Sequence, residues 1–152
     1  MRKRHFSLIA LAAASLLLTS CLSDDNDNTE YTYYKDTAIS AFSLGTMNRY
    51  LHTTSSTGAD SVYKVTYAGA KYKFTIDQIG HRIYNTDSMP SGSDLKHVIA
   101  TITAVNNGLI LMKSTTSDSL RYYSNTDSLD FSTPRTVRIV AQDGQRYTDY
   151  TV

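Results

Sequence analysis

From residue 37 onward no stretch keeps a helical apolar period over three turns, and short runs that alternate apolar with polar side chains recur instead. A period of two sends successive side chains to opposite faces of an extended chain, so each run has one face to bury and one to wet. Tyr72, Phe74 and Ile76 alternate with Lys71, Lys73, Thr75 and Asp77. Val98, Ala100 and Ile102 share one face of residues 98–103, and Val137, Ile139 and Ala141 alternate with Thr136, Arg138 and Val140. Such a chain must pair its strands and bury one face of each sheet against another layer.

Turn residues divide the runs. Ala68-Gly69-Ala70 is expected to turn residues 62–67 back onto the strand that carries Phe74 and Ile76. Residues 38–44 and 47–52 read as an opening pair, and Asn106-Asn107-Gly108 leads into Leu109-Ile110-Leu111-Met112. That run is apolar on both faces and reads as central. Asp143-Gly144 is a tight-hairpin pair, with residues 147–152 returning as the last strand. Phe74, Ile76, Ile102, Leu111 and Ile139 are the expected core, on facing sheets. Several short strands with turns every 8–12 residues predict an all-β, immunoglobulin-like antiparallel β-sandwich over residues 37–152. Twelve tyrosines and no tryptophan suit that reading, because tyrosine fits a pleated, half-buried surface.

The front of the chain reads differently. Met1-Arg2-Lys3-Arg4-His5 is basic, and residues 6–18 form an apolar run broken only by Ser7 and Ser15. A spanning helix needs about 20 apolar residues, so this run has the length of a signal-peptide core. Leu18-Thr19-Ser20-Cys21 closes it with an aliphatic residue, two small residues and the only cysteine of the chain. This order resembles the bacterial lipobox, which implies a signal peptide over residues 1–20 and lipidation of Cys21. Two or more acyl chains on one residue hold a protein stably on a bilayer, so the expected partner of this end is a membrane.

Residues 21–36 read as the lipidated cysteine and an acidic, disordered tether, since Leu22-Ser23-Asp24-Asp25-Asn26-Asp27-Asn28-Thr29-Glu30 offers almost nothing to bury. Asp24, Asp25 and Asp27 resemble the acidic signal that sends Bacteroidetes lipoproteins to the cell surface. Without residues 1–20 the basic count falls from 15 to 12 against 14 acidic residues, a net charge of −2. A nucleic-acid binder shows a basic patch or a high pI, so nucleic acid is not an expected partner.

Chemistry-bearing patterns are sparse. His52, His81 and His97 form no His-x-His pair and no H-E-x-x-H, and there is no second cysteine for zinc. Asp118-Ser119-Leu120 and Asp127-Ser128-Leu129 lack the glycines of a nucleophile elbow. They belong to a local repetition with Asn85-Thr86-Asp87-Ser88-Met89, Asn125-Thr126-Asp127-Ser128-Leu129 and Asp60-Ser61-Val62. Such Asp-Ser pairs bond their own backbone and mark starts of strands or turns. No catalytic residue, metal site or cofactor is expected. Tyr33-Tyr34 and Tyr122-Tyr123 are the candidate sugar-stacking platforms, each pair offering at most one ring to a ligand where it lies on a strand.

Residues 71–78 (KYKFTIDQ), Ile83-Tyr84-Asn85-Thr86-Asp87-Ser88-Met89-Pro90 and residues 128–138 (SLDFSTPRTVR) together resemble one group of Bacteroidetes lipoproteins without an assigned function. The resemblance spans essentially the whole chain, including Cys-Leu-Ser-Asp-Asp after the apolar run. It implies an outer-membrane lipoprotein in which an amino-terminal sandwich precedes a Kelch-like β-propeller. The chain departs from the group at Val152, and the expectation is that it is a piece of a longer protein. The expected function is a surface-anchored, non-enzymatic module that binds a glycan or a protein. Its rival is a passive spacer that presents a propeller, and a hydrolase comes third.

Overall fold

The computed structural model describes residues 33–152; Cys21, Asp24, Asp25 and Asp27, with the rest of residues 1–32, lie outside the described residues. Eleven strands and two single 3₁₀ turns make up the described chain. They are β1 (Ile39–Leu44), β2 (Thr46–Thr54), β3 (Asp60–Ala68), β4 (Phe74–Asp77), β5 (Arg82–Asn85) and β6 (Val98–Ala104). After these come β7 (Leu109–Lys113), β8 (Leu120–Tyr122), β9 (Ser128–Leu129), β10 (Thr136–Val140) and β11 (Tyr147–Thr151).

The strands form a three-stranded sheet, β1-β6-β9, a six-stranded sheet, β4-β5-β11-β10-β7-β8, and a separate hairpin of β2 and β3. Pairing is antiparallel except where β5 meets β11 in parallel at Arg82 and Thr151. Thus β1, β6 and β9 take the places of strands A, B and E of an immunoglobulin sandwich, and β11, β10, β7 and β8 those of G, F, C and C′. The fold is the expected all-β sandwich, with β2 to β5 inserted between the first two strands of the framework.

The core lies between the two sheets. Ile39, Phe42, Leu44, Val98, Ala100 and Ile102 face it from one side, and Ile83, Met112, Val137, Ile139 and Tyr150 from the other. Phe42 meets Phe74 edge-on across the layers, with ring centroids 4.8 Å apart, a geometry worth about 0.5–1.5 kcal/mol beyond area burial. Two tyrosine hydroxyls tie the sheets together. Tyr150 donates to Gln78 Oε1, whose Nε2 donates to the Ile39 carbonyl at 2.6 Å. On the other flank Tyr123 donates to the Ala100 carbonyl and accepts from the Ile102 amide at 3.1 Å.

Ile102 and Ile139 are buried as expected, and Phe74 and Ile76 pack against the core from β4. Leu111 does not. Val137 pairs with Met112 and Arg138 with Leu111, and Val137 is fully buried. The inward parity of β10 therefore turns Met112 and Ile110 to the core and Leu111 outward, a register that a four-residue apolar run carries no polar residue to fix. Two pairings also differ from expectation. β3 pairs with β2 along nine residue pairs, not with β4, and β1 pairs with β6. The 3₁₀ turn Gly69–Lys71 carries the chain from the hairpin into the six-stranded sheet instead of reversing it.

Candidate functional site

The register fixes which side chains stand on the solvent side of the six-stranded sheet. With Val137, Ile139 and Tyr150 buried, Arg138 and Val140 face outward, and so do the residues opposite them. One row across β11, β10, β7 and β8 reads Asp149, Arg138, Leu111, Tyr122, and the neighbouring row reads Tyr147, Val140, Leu109. Tyr84 on β5 belongs to the same side, because Arg82 pairs with Thr151. Tyr122, Tyr147 and Tyr84 are 75, 60 and 48% exposed.

An ion pair stiffens this surface. Arg138 Nε and Nη2 donate to the two Asp149 oxygens at 2.6 and 2.8 Å, a two-point geometry stronger than a single neutral hydrogen bond. The Arg138 guanidinium also lies 3.9 Å from the centre of the Tyr147 ring, a cation–π contact. The hydrogen bond from Arg138 holds the Asp149 carboxyl below its ordinary range, and the same bond raises Arg138. The result is an open face on which one aromatic ring, Tyr147, is held beside a polarised pair of donors and acceptors.

A second feature lies between the sheets, at the end where Leu44 and Val98 meet. It is an apolar cleft of ≈ 580 Å³ whose walls include Phe42, Phe74, Ile83, Met89, Phe131 and Val152. The segment after β5 lines one side of it and is pinned to β2 and β3. The Tyr50 amide donates to the Gly92 carbonyl at 2.8 Å, Arg49 Nε to the Ser91 carbonyl at 2.7 Å, and Tyr67 to Ser93 Oγ at 2.8 Å.

The residues singled out in the sequence are dispersed. Tyr122 projects to solvent while Tyr123 turns into the core, as the parity of a strand requires. Tyr33 and Tyr34 are both exposed and precede any strand. His52 bonds Asp60 on the β2–β3 hairpin, His97 bonds Asp94, and His81 packs edge-on against Tyr150. Among the described residues no serine hydroxyl bonds a histidine and no group of three or more metal-ligating side chains converges. Three of the Asp-Ser pairs lead into β3, β8 and β9, whereas Asp87-Ser88 follows β5. Tyr84, Tyr147, Arg138 and Asp149 escaped the sequence reading. For Arg138 the signal is the polar parity of residues 136–141, and only the strand pairing brings Asp149, Tyr147 and Tyr84 onto the same side.

These features define a non-helical β-sandwich with one aromatic-bearing open face and an apolar cleft at one end. The N-terminal domain of DUF6242, a domain of unknown function, matches residues 42–152. The chain belongs to that family. No curated protein and no solved structure matches it.

Proposed function

We propose that this chain is a non-enzymatic binding module of an outer-membrane lipoprotein of the Bacteroidetes type, whose open sheet face takes a glycan. Cys21 carries the lipid, and Asp24, Asp25 and Asp27 direct display at the cell surface. The observation that supports the reading is the outward row Asp149, Arg138, Leu111, Tyr122 with Tyr147 beside it. Contiguous apolar and aromatic side chains on a solvent face mark interaction sites more often than isolated ones do. Tyrosine rings take the C–H face of a sugar, and a fixed Arg–Asp pair takes its hydroxyls. A glycan array probed with the intact protein tests this, together with the double variant Tyr122→Ala, Tyr147→Ala. Loss of the rings should weaken binding at least about tenfold, near 1.4 kcal/mol, with the melting temperature held. Binding unchanged in the double variant, or no glycan bound at all, overturns it.

The spacer reading has its own support in the two ends of the described chain. The Tyr34 amide reaches Gln142 Oε1 at 3.5 Å, beside the β10–β11 turn, whereas Val152 pairs with Arg135 at the opposite end of that hairpin. A module built this way holds whatever adjoins Val152, a β-propeller in this reading, one strand length from its tether.

A further inference from the structure

On the flank where the two sheets leave an opening between β8 and β9 lies a pocket of ≈ 300 Å³, lined by Met112, Arg121, Tyr123, Asp127, Ser128 and Arg135, among others. Arg135 is 93% buried by its 7% exposure, yet no carboxylate bonds it. Its Nη1 donates to the Asp130 carbonyl at 2.8 Å and its Nη2 to the Lys113 carbonyl at 2.9 Å. Both contacts are to neutral carbonyls and use two of its five N–H donors, and no buried side-chain nitrogen or oxygen among the described residues is without a hydrogen-bond partner. The Asp130 carboxylate feels the Arg135 charge but is taken by the Ser132 amide and hydroxyl. The Arg135 charge thus lies at the pocket wall with no carboxylate bonded to it, and an anion entering the pocket gains its attraction.

The other groups narrow the ligand. Arg121 pairs with Met112, whose side chain faces the core. It therefore stands on the inner side of its sheet, and it makes no ion pair among the described residues. Asp127 contributes a carboxylate to the same lining, and Ser128 a hydroxyl. Two guanidinium groups attract one carboxylate, while Asp127 repels a bare anion that gives it no hydrogen bond in return. A ligand that carries a carboxylate and several hydroxyls satisfies both. The volume, at the lower bound of small-molecule sites, holds one sugar ring. We infer that this pocket binds a sugar acid, its carboxylate on Arg121 and Arg135 and its hydroxyls on Asp127 and Ser128. The site opens on the inner side of the sheet and borders the glycan face proposed above at Tyr122, which also lines it.

Calorimetric titration of the intact protein with sodium glucuronate tests the inference, with glucose and sodium acetate as controls. Methyl glucuronide is the arm that mimics a chain-linked residue, so its strength against glucuronate separates a glycan terminus from a free sugar acid. Glucuronate or its methyl glycoside should bind saturably, and glucose and acetate at least about tenfold more weakly. Arg121→Gln should weaken glucuronate about tenfold or more, and Arg121→Lys less than that. Arg121 is exposed, so its variants are expected to fold even if Arg135 variants do not. Amide shifts in a nuclear magnetic resonance titration should fall on Arg121, Ser128 and Leu129. Equal binding of acetate, equal binding of glucose, no saturable binding, an unaffected Arg121→Gln variant, or shifts centred on Tyr147 and Asp149 each overturns it.

Discussion

The Tyr123 hydroxyl stands where a strand would otherwise run. β9 pairs with β6 only at Val98 and Ile99, and past that point Tyr123 serves both the Ala100 carbonyl and the Ile102 amide. An unpaired buried backbone group costs about 1–3 kcal/mol, which is why a tyrosine and not a phenylalanine suits the position. Carboxylates at this scale also set the response to pH. A bond from the Gly80 amide lowers Asp77, Lys113 lowers Asp118, the Ser132 hydroxyl lowers Asp130 and Arg138 lowers Asp149. Their folded-state values lie below the unfolded ones, so the stability they contribute is complete above about pH 4 and is lost as pH falls through the folded values. Thermal melts taken from neutral pH down should show that loss, and Asp149→Asn should make the decline shallower. An equally steep decline in the variant would mean that the Arg138–Asp149 pair contributes nothing measurable, as many exposed pairs do.

At the scale of elements the β2–β3 hairpin depends on a glycine outside it. Gly92 has φ +82°, and a Cβ there would sit 2.2 Å from the Tyr50 carbonyl oxygen. Only the absence of a side chain lets the segment approach β2 closely enough for its hydrogen bonds at Tyr50 and Asn48. Gly144 also has a positive φ, +68°, but nothing lies within 4 Å of its would-be Cβ. Gly92→Ala should therefore destabilise by clearly more than Gly144→Ala, and by more than about 1 kcal/mol. It should also speed hydrogen exchange at the Tyr50 amide. Equal effects of the two variants in urea unfolding would show that the close approach is not what matters.

For the whole molecule, the described end near Tyr34 and the end at Val152 lie at opposite ends of the β10–β11 hairpin. A strand of five or six residues spans roughly 17–20 Å. If lipid enters through Cys21, palmitate labelling of the intact protein should vanish in Cys21→Ala; labelling that survives removes the anchor. Replacing Asp24, Asp25 and Asp27 with Ala should leave labelling intact and protect the protein from protease added outside the cell. Unchanged digestion would reduce the acidic run to a spacer.

The alternation in residues 98–103 and 136–141 was enough to assign strands and their buried faces, because one side of each run is wholly apolar while the other carries Thr101 and Thr103 or Thr136 and Arg138, which a one-residue slip would bury. The Asp143-Gly144 pair likewise named its own hairpin, since the local twist of a tight turn needs a residue with positive φ. Leu111 and Met112 carried no such contrast, and only the neighbouring strand β10 chose between them. Residues 62–67 carried no signal to choose between β2 and β4; they pair with β2, and Gly69 packs closely against Leu44 with its amide on the Gly45 carbonyl at 2.9 Å. The candidate face and the arginine pocket belong to the same category. Arg138 and Asp149 are eleven residues apart, and Arg121 and Arg135 are fourteen. The first pair meets across the hairpin that Asp143-Gly144 marks, whereas the second, like Leu111 and Tyr122 beside Arg138, is grouped only once strands without a tight-turn signal have paired, which burial of whole sheets decides.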